Sequence, residues 1–185
     1  MIALAIAVSV GVLALILRNH DSASSTTRDA PPSTVVPPYD ASKARVGHRA
    51  PQFALPDLNG RTVSLSQLRG RPVVLTFFAS WCHPCEEELP VLETVQKEYG
   101  SRLTVVGVNF RDSAGDSRQF VRDLKVTFPA LVEDEGDNPV AARYGVNGPP
   151  MTFFIDAQGK IAIPPLYGSG SRKDLQPGLD ALLPA

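Results

Sequence analysis

Strands that alternate with helices predict an α/β domain with a central mixed sheet. Residues 72–78 (PVVLTFF) and 103–109 (LTVVGVN) are continuous apolar runs of strand length, each followed by a segment with helical spacing. A late pair of short runs around the turn Asp156-Ala157-Gln158-Gly159 reads as a hairpin, which brings antiparallel strands into the sheet.

In chain order, residues 52–55 and 62–65 are short β-type runs flanking the turn Asp57-Leu58-Asn59-Gly60. The run 72–78 follows as a buried strand. Residues 84–99 then place Leu89, Leu92, Val95, Gln96 and Tyr99 on the 3–4 spacing of one helix face. After the strand 103–109, residues 117–124 form a second helix with Phe120, Val121 and Leu124 inward, and residues 139–144 a short third. Residues 151–155 (MTFFI) and 160–163 are the hairpin strands, and residues 172–183 close the chain as a helix.

Composition removes several classes of function. The chain of 185 residues has a formal net charge of −1, so it lacks the basic footprint of a nucleic-acid binder. Its two cysteines, Cys82 and Cys85, cannot make a framework of several bridges. Only His20, His48 and His83 could join them, so no structural zinc site, no other metal site and no cofactor is expected.

The organisation has three parts. Residues 2–17 (IALAIAVSVGVLALIL) carry no charge. As a helix they would span about 24 Å, short of a hydrocarbon core of about 30 Å without help from flanking residues. No basic residue precedes them, and Arg18 sits on the exit side, against the positive-inside tendency. Residues 1–18 are read as a single-pass membrane anchor or a cleaved signal segment. Either places the rest outside the cytoplasm, on the periplasmic or outer side of a cell membrane, and secreted if cleaved. Residues 19–46 hold five Ser, three Thr and the pairs Pro31-Pro32 and Pro37-Pro38. Such a stretch cannot bury enough apolar surface to offset its ordering entropy and reads as a semi-extended tether. The folded domain is expected over 47–185.

The chemistry centres on Ala79-Ser80-Trp81-Cys82-His83-Pro84-Cys85, placed where a buried strand gives way to a helix. Unsatisfied N–H groups at a helix start carry partial positive charge and stabilise a thiolate. Cys82 at the helix mouth is the expected nucleophile. Cys85, one turn further in, can attack a mixed disulfide on Cys82. Pro84 fits the first turn, where its missing N–H costs nothing. His83, as a cation, would lower the Cys82 thiol pKa, and Trp81, His83 and Pro84 together are expected to tune the redox potential of the pair.

With these residues in view, the run from Gly47 to Leu182 resembles the thioredoxin-like proteins of the TlpA/ResA/CcmG group. The matching segments are VGHRAPQFALPDLNGRTVSLSQLRGRPVVLTFFASWCHPCEEELPVL, VVGVNF and ARYGVNGPPMTFFIDAQGKI. The resemblance implies a thioredoxin-like fold, with an N-terminal β-hairpin extension and a short central insertion. It implies an extracytoplasmic, membrane-tethered thiol–disulfide oxidoreductase whose partners are protein disulfides or thiols. Apocytochrome c is one candidate substrate, and an upstream membrane electron donor is implied. Reductase is the favoured direction, dithiol oxidase the alternative.

The resemblance also assigns supporting residues. Pro90 matches the proline that interrupts the active-site helix of thioredoxins. Thioredoxins carry a buried Asp six residues before the first cysteine, and here that position is Thr76. In the ResA-like branch a Glu at the position of Glu88 takes its place. Glu88 lies three residues after Cys85, on its helical face, and is expected to deprotonate it. Glu86 and Glu87 read as solvated first-turn glutamates. Pro150 matches the cis-proline that faces the cysteine pair, shapes the substrate groove and keeps a further N–H from the sulfurs. The residue before it normally pairs with an extended substrate through both N–H and C=O. Here it is Pro149, which has no N–H.

Other readings fare worse. A peroxiredoxin would align its peroxidatic cysteine with Cys85 and its threonine with Cys82, which is not a threonine. A copper or haem chaperone would want a third ligand, and neither His48 nor Met151 is convincing. The acidic stretch 133–137 lacks the spacing of a calcium loop. Asn109-Phe110-Arg111-Asp112 reads as a loop that rims the groove or does nothing more.

Overall fold

The computed structural model describes residues 39–133, 139–168 and 170–183. The apolar run 2–17, the tether as far as residue 38 and most of the acidic stretch 133–137 lie outside the described residues. Among the described residues, no helix is long and apolar enough to cross a membrane.

A two-stranded antiparallel hairpin opens the domain, β1 (Ala54–Pro56) with β2 (Thr62–Ser64). The central sheet has five strands in the order β5-β4-β3-β6-β7. Its members are β3 (Val73–Phe78), β4 (Thr104–Asn109), β5 (Ala130–Leu131), β6 (Met151–Ile155) and β7 (Leu166–Tyr167). Strands β3, β4 and β5 are parallel, β6 lies antiparallel to β3, and β7 antiparallel to β6, so the sheet is mixed. The helices are α1 (His83–Tyr99), α2 (Ala114–Asp123), α3 (Val140–Tyr144) and α4 (Arg172–Leu182).

The pleat sorts the core onto two faces. In β3, Val73, Leu75 and Phe77 join one apolar cluster, with Tyr144 of α3 and Phe53 ahead of β1. Val74 and Phe78 join the other, with Leu89 and Leu92 of α1 and Leu175 and Leu179 of α4. Strand β6 alternates in the same way, Phe153 to the first cluster and Phe154 to the second. Each of these two strands holds a single polar residue within its apolar run, Thr76 and Thr152, and the two are paired in register. By the two-residue period, both fall on the face covered by α1.

Helix α4 approaches β6 closely at Gly178. A Cβ there would lie 2.2 Å from the ring of Phe154, which is 1% exposed. Overpacking of this kind costs about 1–3 kcal/mol, while Ala in a helix gains at most about 1 kcal/mol over Gly. Gly178→Ala is therefore expected to lower stability by about 1–2 kcal/mol, read as a lower urea midpoint at unchanged slope. A higher midpoint would mean the ring yields.

Two expectations are corrected, and a third holds in shortened form. The segment 160–163 does return along β6, as a short ladder: Ile161 bridges Ile155 antiparallel, Asp156 N–H donates to Lys160 O and Ala162 N–H to Phe154 O. The same segment also pairs with the N-terminal stretch, Gly47 N–H donating to Ile161 O and Ile161 N–H to His48 O. Pro164 and Pro165 then interrupt the chain, and β7 follows on the start of β6, held by Met151↔Tyr167 and Thr152↔Leu166. Helix α2 starts at Ala114 rather than at 117, because Ser113 is its N-cap and accepts the Asp116 N–H at 3.0 Å. The folded body also includes residues 39–46 of the expected tether. Tyr39 bridges Val146, its ring packs on Phe153, and Ala44 is 1% exposed. Gly145 permits this docking. Its φ of +76° and the 2.5 Å from a built Cβ to Asp40 O leave no room for a side chain.

Candidate active site

Strand β3 delivers the chain to the sheet end where α1 begins. Phe78 is followed by Ala79, fully buried, and by a turn closed by Cys82 N–H to Ala79 O at 3.2 Å. Cys82 is the N-cap of α1, with extended backbone and no side-chain capping bond. Helices usually place Ser, Thr, Asp or Asn there. A sulfur in that seat stands at the positive end of the helix dipole, which favours the thiolate. Pro84 stands in the first turn, as expected.

Cys82 and Cys85 form a disulfide, with Cα atoms 5.3 Å apart. Cys82 is 4% exposed and Cys85 is fully buried. Cys82 is thus the slightly more exposed of the two. The His83 ring is exposed, with Nδ1 3.3 Å from a Glu86 carboxylate oxygen. Glu86 and Glu87 are exposed. Trp81 is 58% exposed, and its Nε1 donates to Arg111 O at 3.3 Å.

Glu88 is no surface glutamate. It is 1% exposed, under the sheet face that carries the two threonines. Thr76 Oγ1 donates to its Oε2 at 3.2 Å and Thr152 Oγ1 to its Oε1 at 2.8 Å. Burial pushes the carboxyl up to about 7, against the pull of the two hydroxyls. Gly170, before α4, closes the remaining side: a Cβ there would lie 3.2 Å from Oε1. Thr152 and Gly170 were not singled out from the sequence. A lone threonine in each of two apolar strands was the available signal.

The peptide Pro149-Pro150 is cis. The register Phe77↔Met151 sets Pro150 beside the end of β3, at the sheet end that carries Cys82. Pro150 O accepts from Gly168 N–H at 3.2 Å. Pro149, one residue out, has only a carbonyl to offer.

The loop after β4 completes the site. Asp112 accepts from Ser80 N–H at 2.8 Å and from Ser80 Oγ at 3.0 Å. Sequence reading left this loop without a defined role, because Ser80 and Asp112 are 32 residues apart. Beside it, a cavity of about 340 Å³ is lined by Phe110, Asp112, Glu133, Ala142 and Asn147 among others. Among the described residues, no cluster of His, Cys, Asp or Glu could hold a metal ion.

Comparison with known proteins agrees with this geometry. Residues 46–163 match the model of the AhpC/TSA family. The thioredoxin-like protein YneN of Bacillus subtilis is 37% identical over 137 residues, covering 72% of this chain and 78% of YneN. The thiol-disulfide oxidoreductase ResA of Geobacillus thermodenitrificans is 32% identical, covering 75% of this chain and 79% of ResA. Among solved structures is a secreted Mycobacterium tuberculosis disulfide oxidoreductase homologous to E. coli DsbE. It superposes with a TM-score of 0.62 at 30% identity, over 71% of this chain and 96% of that one. The chain belongs to the AhpC/TSA family, has the thioredoxin-like fold, and is a thiol–disulfide oxidoreductase.

Proposed function

We propose that the protein reduces disulfides of proteins outside the cytoplasm, held at a membrane through residues 2–17. The Cys82 thiolate attacks one sulfur of a substrate disulfide and expels the other as a thiolate. Cys85, giving its proton to Glu88, attacks Cys82 Sγ of the mixed disulfide and expels the second substrate thiolate. Two electrons pass to the substrate, and the Cys82–Cys85 disulfide is left for an upstream membrane donor to reduce. His83, Pro84 and Trp81 tune the pair, and Pro150 shapes the groove.

One observation carries the assignment of roles: a buried carboxyl with a pKa near neutrality, one helical turn from the inner cysteine. The resemblance to ResA-like and CcmG-like proteins supports the reducing direction and apocytochrome c as a substrate. The measurement that tests the direction is the equilibrium of the pair with glutathione. A potential near that of thioredoxin, about −270 mV, is expected, and one near −120 mV, that of a strong periplasmic oxidant, would make the protein a dithiol oxidase.

Substrate docking departs from the usual mode at Pro149. A net hydrogen bond is worth about 0.5–1.5 kcal/mol. Pro149→Thr in a Cys85→Ser background is therefore expected to tighten capture of extended peptides by up to about tenfold. With both cysteines present, Pro149→Thr alone should leave the potential of the pair within about 30 mV of its starting value. Unchanged affinity would mean that side-chain contacts alone select the partner.

A further inference from the structure

The nucleophile sits at the end of a turn that packing alone holds poorly, since Trp81 is 58% exposed and Ser80 only half-buried. What fixes this turn comes from across the sheet end. The two carboxylate oxygens of Asp112 divide the work: Oδ2 accepts the Ser80 N–H and Oδ1 the Ser80 hydroxyl. Ser117, fully buried in α2, donates its hydroxyl to Oδ2 at 2.8 Å and so orients the carboxylate. The Asp112 backbone is held in turn. Its carbonyl accepts from Asn109 Nδ2 at 2.9 Å, and Asn109 is 1% exposed. Next to it, Arg111 adopts a φ of 47°, a left-handed conformation rare for residues with a side chain. In that conformation it presents the carbonyl that accepts Trp81 Nε1. Three hydrogen bonds thus join the loop 109–113 to the two residues that precede Cys82.

We propose that Asp112 is a positioning residue for Cys82, acting through Ser80 to fix the turn that aims the reactive sulfur. Bonds to a carboxylate are roughly twice as strong as neutral ones. They bridge elements that share no local sequence contact, so the loop and the turn move as one body. A substrate disulfide must meet Cys82 Sγ in line, and small errors of placement are costly in rate. The role rests on Cys82 being the attacking sulfur.

The test uses the reduced full-length protein, with insulin as the disulfide probe. Asp112→Ala is expected to lower the second-order exchange rate by about tenfold. Asp112→Asn keeps one oxygen for the Ser80 N–H and should stay within about threefold of the parent. Trp81 is the only tryptophan of the chain, so native-state emission reports on the turn directly. Asp112→Ala is expected to change that emission, and Asp112→Asn to restore it. A lowered melting midpoint with unchanged rate and emission would overturn the proposal and leave Asp112 a matter of stability alone. If Asp112→Ala does not fold, Ser80→Ala removes one of the two bonds that Ser80 makes to the carboxylate. It should slow exchange by about threefold, half of a tenfold step in free energy, and an unchanged rate there overturns the proposal too. An error in the choice of attacking sulfur is visible separately, in the order in which the cysteines are alkylated.

Discussion

Cys82→Ser is expected to abolish thiol–disulfide exchange, and Cys85→Ser to leave a protein that captures substrates as mixed disulfides and does not release them. The asymmetry follows from the helix start. Cys82 occupies the N-cap position with its side chain unbonded, where the first-turn N–H groups favour negative charge on sulfur. Cys85 is fully buried, so no substrate disulfide reaches it while Cys82 retains the outer position. A serine hydroxyl at 82 ionises far above any working pH, so no nucleophile remains. A serine at 85 leaves the attack on substrate intact and removes the internal attack that resolves it. Limiting iodoacetamide on the reduced protein, followed by mass spectrometry, reads the order directly. Labelling of Cys85 ahead of Cys82 would exchange the two roles.

The parts of the fold legible in the sequence are those with a strong period. Strands β3 and β4 are unbroken apolar runs, and β6 (MTFFI) is as clear. Strands β5 and β7 have two residues each, too few for any period to register. The hairpin return was legible too, since Ile161 bridges Ile155 across the turn, but the pairing of the same stretch with residues 47–50, more than 100 positions earlier, leaves no local pattern. The site divides in the same way. Cys82, Cys85 and Pro84 were legible because strand-to-helix placement gives them a local mechanism. Glu88 was legible as a spacing and a resemblance, but its burial was not, since three consecutive glutamates near a helix start look alike until the sheet covers one. Asp112, Thr152 and Gly170 act across the fold, and no local pattern marks them as a group.

Glu88→Gln should slow resolution while making the fold more stable at alkaline pH, and the two effects have one cause. In the folded protein burial raises the Glu88 carboxyl from 4.5 to about 7. The native state therefore holds this proton at pH values where the unfolded chain has lost it. The contribution to stability is fully present below pH 4.5 and is lost as pH rises towards 7, after which it is constant. At 1.36 kcal/mol per unit, the loss is about 3 kcal/mol. Glutamine has no proton to lose, so the variant escapes it. Part of the gain is returned, because the new amide N–H group needs an acceptor where Thr76 and Thr152 now donate. A net gain of about 1–2 kcal/mol at pH 8, turning into a loss of about 1–2 kcal/mol at pH 4 where only the amide cost remains, is the expected result of urea titrations. The rate moves the other way. A positioned general base is worth about 10²-fold or more, but only where it is ionised. At pH 5 the native Glu88 is already protonated, so parent and variant should resolve a mixed disulfide at similar rates. The ratio should then grow as pH rises through about 7 and Glu88 ionises. Rates of mixed-disulfide decay from pH 5 to 9, measured on both proteins, decide the matter. A flat ratio would leave Glu88 a buried carboxyl with no part in the chemistry. A ratio that grows as pH rises through about 7, in a variant more stable than its parent at pH 8, cannot be ascribed to damage to the fold.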